Sequence, residues 1–246
     1  MRHAWLLVSV VLGCPAAPRA TTPGSGLRAA TLIWKVGVNQ KDDGSALVES
    51  ILPATFQGKR VWRIVHRDLD PTEAGLHNSY DMYDVDRATG EPMRSIMERE
   101  GFHLALTFHG DRVTIEKDEG SDHVRTEVEV AHPRPEGPGE QVLLSSLPLA
   151  PGYQTTFPIV DRWAKDEANR VVQIDVAVTG PTQIQTRLGR LEVLEVALTP
   201  RNGAFKIREW VRMQEPRFSV KTEYTRGDLH VDSEIVQILI DERPAP

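Results

Sequence analysis

The side chains with the most chemical potential in this 246-residue chain fall into four short groups, and each lacks the companions its chemistry needs. His66-Arg67-Asp68-Leu69 has the opening of a protein-kinase catalytic loop, in which the Asp orients a substrate hydroxyl and an Asn five residues later holds magnesium. Position 73 is Glu, and the chain has no Gly-rich phosphate loop and no D-F-G. The run therefore reads as a strand ending at His66 and a turn through Asp68 to Pro71. Asp81, Asp84 and Asp86 ahead of Gly90 sketch a calcium loop. The EF-hand order, with Gly sixth and Glu twelfth, is missing, which favours an acidic hairpin turn. The eight histidines include no H-E-x-x-H, and His103 and His109 fall on the polar side of a candidate strand, so they read as solvated. Ser145-Ser146 lies in no G-x-S-x-G elbow, so no strained, exposed nucleophile is expected. A site assembled from distant residues leaves no trace of this kind. The expectation is a protein that is not an enzyme and holds no cofactor or metal.

The remaining reactive side chain is Cys14, the only cysteine. It follows Arg2 and the apolar run Leu6-Leu7-Val8-Ser9-Val10-Val11-Leu12, a positive start and a short apolar core of the kind that directs export. Residues 1–20 are thus expected to be a signal peptide, too short in its apolar part to span a bilayer, and no other segment approaches the roughly 18 apolar residues a span needs. Val11-Leu12-Gly13-Cys14 has the form of a bacterial lipobox. A single cysteine in an exported chain has no internal disulfide partner. Lipidation after a cut before Cys14 gives it a role and anchors the protein to a membrane. The alternative is a later cut between Pro15 and Thr21, where Pro18 spoils the A-x-A pattern before Ala20. Residues 21–29, opening Thr21-Thr22-Pro23-Gly24-Ser25-Gly26, are expected to form a flexible tether.

Composition sets the rest of the frame. With 40% apolar and 26% charged residues the chain is an ordinary soluble globular sequence, long enough for a substantial core. The net charge is −6, from 29 basic against 35 acidic residues, with no block of five like charges. A basic stripe for phosphates is absent, and nucleic acid is excluded as a partner on that ground.

Positioning falls to strands. From Arg170 to Leu239 apolar residues alternate with polar ones: Val172, Ile174, Val176 and Val178; then Leu191 to Leu198; then Phe205, Ile207, Val211 and Met213, with Lys206, Arg208, Trp210 and Arg212 on the other side. Phe218, Val220, Thr222 and Tyr224 continue the pattern, followed by Leu229, Val231, Ser233 and Ile235. Period-two alternation bounded by Gly, Pro and Asp is the signature of half-buried strands. Gly180-Pro181 is read as closing one of them. In the first half, Thr31 to Val38, Trp62 to His66, Asn78 to Val85, Met93 to Glu98, Phe102 to Phe108, Arg112 to Lys117 and Val124 to Val130 read likewise. Ala46 to Phe56 is ambiguous between strand and helical turn, with Pro53 ending the run. Residues 132–140, carrying Pro133, Pro135, Pro138, Gly137 and Gly139, read as a linker or long loop, since they suit neither helix nor central strand. Gln141 to Leu149 reads as a short helix stopping at Pro148. The fold expected is mainly β, a single domain over residues 30–241. It is one large curved antiparallel sheet, a half-barrel or open barrel, with one or two short helices.

Leu147-Pro148-Leu149-Ala150-Pro151-Gly152-Tyr153, the turn-strand-Gly-strand unit from Gly180 to Val193, and Trp210-Val211 with Pro216-Arg217 and Val220-Lys221-Thr222-Glu223 resemble the DUF3108 family of exported bacterial proteins. That family is similar in layout to lipoprotein carriers and sensors with a LolA-like half-barrel. The resemblance implies a curved sheet wrapping a helical plug and an apolar cleft, a place in the periplasm or at the outer membrane, and no catalytic residues. Here the helical stretch before Leu147 is shortened in favour of the Pro/Gly segment, so the plug is expected to be reduced.

Two functions follow as expectations. One is a carrier whose concave face holds a lipid or a lipoprotein acyl chain, with Trp34, Trp62, Phe108, Trp210 and Phe218 as ligand-binding residues and Trp163 as a further cleft candidate. The other is an envelope scaffold or protein-interaction module whose apolar face is filled core. For the anchor, labelled fatty acid should enter the wild-type protein and not Cys14→Ser. Equal labelling of both, or of neither, removes Cys14 from the account.

Overall fold

The computed structural model describes residues 26–39, 44–69, 79–164 and 170–241. Within them fourteen strands form one antiparallel sheet. The first group is β1 (Ala30–Val38), β2 (Ala46–Phe56), β3 (Lys59–Leu69), β4 (Tyr80–Asp86), β5 (Pro92–Arg99), β6 (Phe102–His109), β7 (Arg112–Glu119) and β8 (Asp122–Glu129). A single 3-10 turn, Gly137–Gly139, and one helix, α1 (Glu140–Ser146), follow. The second group is β9 (Gln154–Val160), β10 (Val171–Thr186), β11 (Gly189–Pro200), β12 (Lys206–Arg212), β13 (Ser219–Arg226) and β14 (Leu229–Ile240). The expected fold, a large curved antiparallel sheet with a short helix, is the one observed.

β1 lies inside the sheet, paired with β2 on one side and β14 on the other. The chain meanders outward from β1 to the edge strand β8, jumps to the opposite edge at β9, and meanders back until β14 closes on β1. The sheet stops short of closure, and its two edges are joined through residues 130–153. They nevertheless come close, because Val160 of β9 packs in one cluster with Leu104, Leu106, Val113 and Ile115 of β6 and β7. Each edge is blunted. β8 is studded with charge at His123, Arg125, Glu127 and Glu129, while β9 carries Pro158, whose carbonyl accepts the Arg134 N–H at 2.8 Å. Charge, proline and a covering segment all deter a further strand from adding.

Two strands run through prolines that the sequence suggested would end them. β2 contains Pro53 and β10 contains Gly180-Pro181. The reason is the same in both. β2 pairs with β1 only as far as Ile51, and β10 pairs with β9 only as far as Ala177, so each proline faces an edge that has no ladder partner to lose. Opposite that free edge, Pro53 still registers with Trp62 and Pro181 with Leu194. The register slips between Val178 and Gly180, and Gly180 takes φ 129°, so a bulge absorbs the disturbance.

The Pro/Gly segment is a loop that ends in the 3-10 turn, and the short helix expected after it, which runs over Glu140–Ser146, is the plug. Five consecutive residues of α1, Gln141 to Ser145, are buried, which only a helix surrounded by protein can achieve. Val142 joins the cluster of Ile51, Ile64 and Tyr83, three residues in one cross-strand row, while Leu143 and Leu144 join the cluster built from β9 to β12. The plug is also bonded to the sheet. The Ser219 N–H donates to Gln141 Oε1 at 3.0 Å, at the point where the β12–β13 register slips between Trp210 and Val211. Close approach explains the glycine at 139: a Cβ there would lie 2.5 Å from Pro135 Cβ and 3.1 Å from the Tyr83 ring. Gly139→Ala should therefore lower stability by about 1–3 kcal/mol, the usual cost of overpacking. It should read as a lower urea midpoint with an unchanged slope.

Candidate functional site

Between the plug and the concave face lies a cavity of about 310 Å³. Register decides what faces it. His66 on β3 stands opposite Glu49 on β2; Glu209 on β12 stands opposite Thr222 on β13, which stands opposite Ser233 on β14. Directly opposed side chains share a face, and all five line the cavity together with Trp34 of β1. Apolar wall comes from Leu143 and Leu144 of α1, Phe157 and Ile159 of β9, and Phe205 and Ile207 at the start of β12. Trp163, 44% exposed, stands at the rim.

The polar lining has two parts. In the first, His66 Nε2 lies 3.0 Å from Glu49 Oε2. Burial lowers the imidazole pKa, but Glu49, with smaller help from Asp81 and Asp68, outweighs it and leaves it raised. Glu209 accepts from the Ser219 hydroxyl and, at 2.8 Å, from Thr222 Oγ1. Burial pushes the Glu209 carboxyl up to about 7, although Ser219, Thr222 and a hydrogen bond with the Glu140 carboxyl pull it back. Glu140 is raised too, by burial first and by the nearness of Glu209 and Glu136 second. Two buried carboxyls so placed each raise the other's affinity for a proton. Trp34 Nε1 and Glu49 Oε1 are buried with no hydrogen-bond partner among the described residues.

The second part is a set of closed ion pairs. Arg162, buried at the end of β9, reaches the carboxylates of Asp81 and Glu136 and donates to Ser95 Oγ at 3.2 Å. Burial pushes the Glu136 carboxyl up to about 7, with Arg162 pulling the other way. Asp161 Oδ2 accepts from Arg226 Nη2 at 2.8 Å, and its Oδ1 accepts the Trp163 N–H at 2.9 Å. These contacts tie the turn after β9 to β4, β5 and β13.

Of the five residues assigned to ligand binding from sequence, Trp34 alone lines this cavity. Trp62 shares the concave face but sits nearer the start of β3, with the Arg87 guanidinium 4.5 Å from its ring. Phe108 packs 6.3 Å from Tyr83 and lines a separate recess with Lys59 and Pro92. Phe218 is fully buried core. Trp210 is on the wrong face: it registers with Glu195 and Lys221 on the convex side, with Arg208 5.0 Å and Lys221 4.6 Å from its ring. The alternation had already set Trp210 with Arg208, and period two sends both away from the concavity. Cys14, most of the tether, Asp42-Asp43 and Asp70 to Glu73 lie outside the described residues.

The sequence motifs come apart in space. His66 faces the cavity, Arg67 turns outward over the Tyr80 ring, and Asp68 accepts from the Ser79 hydroxyl. Asp81 serves Arg162, Asp84 lies between Arg63 and Arg94 on the convex face, and Asp86 caps the turn at the Ala88 N–H. Among the described residues no group of three or more His, Cys, Asp or Glu is placed to hold a metal ion. The Ser145 and Ser146 hydroxyls donate to the carbonyls of Val142 and Leu143 within the helix. Glu49, Glu140 and Glu209 are not among the residues singled out from sequence, and His66 is there only as the head of a kinase-like run at the end of a strand. For Glu49, His66 and Glu209 the signal was a charged or titratable residue in the apolar phase of a strand, as in Ile207-x-Glu209-x-Val211.

No family model and no curated protein sequence matches the chain, so membership of the DUF3108 family is not carried forward. Among solved structures, one match supports a shared fold. A β-barrel-like protein of the domain of unknown function DUF1849 from Brucella abortus matches with TM-score 0.60 and 10% identity, over 88% of this chain and 99% of that one. A protein with a YmcC-like fold from Bacteroides fragilis gives TM-score 0.31 and 13% identity, over 86% of this chain and 96% of that one. Among the described residues no helix is long and apolar enough to cross a membrane.

The raised carboxyl of Glu209 makes a pH prediction. In the unfolded chain it titrates near 4.5 and in the folded protein near 7. The fold therefore binds the proton more tightly, and the stabilisation this gives is complete below the unfolded value and lost as pH rises toward 7. Glu209→Gln, which resembles the protonated form, should match wild type at pH 4.5. By pH 8 it should exceed wild type by on the order of 2–3 kcal/mol in urea unfolding. A difference that does not vary with pH would contradict the assignment.

Proposed function

We propose that this protein is an exported binding protein of the bacterial envelope that holds the apolar chain of an amphiphile in the concave-face cavity. The observation that carries this reading is the cavity itself: about 310 Å³, walled by Leu143, Leu144, Phe157, Ile159, Phe205 and Ile207, between a buried plug and a curved sheet. Small-molecule sites are concave, largely apolar and of roughly 300–1,000 Å³, with a few placed polar groups. The arrangement fits a lipid or a lipoprotein acyl chain entering beside Trp163. The chain's N-terminal export pattern and Cys14 anchor belong to the same proposal, which sets the protein at a membrane where such ligands are met. A binding role suits a site whose two guanidiniums are held in ion pairs and whose Ser219 hydroxyl is spent on Glu209.

Protein purified gently from its native host should show excess mass in native mass spectrometry that disappears on delipidation. Dodecanol added to the delipidated protein should shift tryptophan emission, and Trp34→Phe should remove most of the shift. Ile159→Trp, which fills the cavity from β9, should weaken dodecanol binding by about tenfold or more, a loss of about 1.4 kcal/mol. A lipid-free protein whose emission ignores dodecanol leaves the filled-core scaffold as the reading.

A further inference from the structure

Resting on the reading that the cavity binds an amphiphile, we infer that the ligand's head is a protonated amine, seated by Glu49, the Glu140–Glu209 carboxyl pair and the ring of Trp34. The charges around the cavity point this way. Its described lining carries five carboxyls, on Glu49, Glu136, Glu140, Asp161 and Glu209, against the guanidiniums of Arg162 and Arg226 and the imidazole of His66. Both arginines are already committed, Arg162 to Asp81 and Glu136, and Arg226 to Asp161. A carboxylate or phosphate head would find both guanidiniums already held in ion pairs, with the buried Arg226 Nε–H as the one cationic donor left without a partner among the described residues, and would meet Glu49 as a like charge.

The other carboxyls are differently placed. Glu49 has His66 beside it as a cation; Glu209 has the Ser219 and Thr222 hydroxyls and Glu140, and Glu140 has Glu209, a backbone hydrogen bond at Gly137 and the more distant charge of Arg162. Glu49 is 1% exposed, yet its Oε1 has no hydrogen-bond partner among the described residues. An ammonium supplies up to three donors to such acceptors, and hydrogen bonds between ionised groups are about twice as strong as neutral ones. Trp34, 3% exposed and on the same lining, adds an aromatic face, the surface that cations favour. Its Nε1–H is also without a partner, so an oxygen beside the amine, as in an amino alcohol, would satisfy it as well. An ordered water answers one orphan donor or acceptor.

Isothermal titration of the delipidated protein at pH 7 with dodecylamine, dodecanol and dodecanoate, each below its micelle concentration, tests this directly. The three share one chain and differ in head. The amine should bind about tenfold or more tighter than the alcohol, and the carboxylate more weakly than either. Glu49→Gln should bring the affinities of amine and alcohol together, and an unchanged urea midpoint reports separately that the variant is folded. The wild-type ranking stands without the variant. If dodecanol or dodecanoate binds as tightly as dodecylamine, the amine head is wrong and the acyl-chain reading survives. If none of the three binds, the acyl-chain reading itself fails and this inference goes with it.

Discussion

A sheet of fourteen strands with one apolar face has to cover that face, and among the described residues one connection, residues 130–153, does so while also carrying the chain from edge β8 to edge β9. Everything inside the concavity follows from that double duty. The connection makes only one 3-10 turn and a seven-residue helix, too little to fill the space, so it is packed by local expedients. Glycine at 139 lets it sit against Tyr83, Gln141 bonds it to β13, and Val142, Leu143 and Leu144 spread across two clusters. What the plug leaves unfilled is the cavity. The polar groups around it can stay buried because most are answered by a neighbour, an arrangement that low local dielectric both strengthens and requires.

The two faces of the sheet use charge in opposite ways. On the convex face charges cover: Asp84, fully buried, is held between Arg63 and Arg94 in a cross-strand row, and Arg94 in turn lies 4.2 Å from the Phe56 ring. Arg208 joins Glu195 and Glu223 and shades Trp210 in the same fashion. Long stems with charged ends shield aromatic rings that would otherwise meet water. On the concave face the charges are enclosed, and there their protonation becomes part of the fold's free energy. Surface pairs such as Arg201–Asp175, roughly half-exposed on both sides, are worth little by comparison.

Much of the architecture was legible in the sequence, because alternation is a local property. The strands from Val172 onward and the hairpins from Phe102 to Val130 fall where the pattern set them. Tertiary facts decided the rest. Pro53 and Pro181 look like stops until it is known that each faces a ladder edge its neighbour has already left. The Pro/Gly run reads as a linker or long loop, and only the enclosing sheet shows why Pro133, Pro135, Pro138 and Gly139 in it are buried. Trp210 drew attention as an aromatic, though its phase already sent it outward. Conversely Glu49 between Leu47 and Ile51, His66 after Trp62 and Ile64, and Glu209 between Ile207 and Val211 were visible as polar interruptions of apolar stripes. Their meaning depended on β1, β13 and β14 lying between β2 and β12, which no local pattern records.

β1 and β14 run antiparallel side by side, with Ala30 opposite Ile240 and the Asp241 N–H donating to the Ala29 carbonyl at 2.8 Å. The first and last strands thus begin and finish at one place, in the interior of the sheet and not at an edge. Tension arriving through the N-terminal side is passed along the axis of β1, which is flanked by ladders to β2 and β14. Those hydrogen bonds lie across the direction of pull and share the load at once, whereas a strand peeled from an edge gives them up one at a time. A first strand set in the interior in this way resists a pull along its own axis better than one placed at an edge.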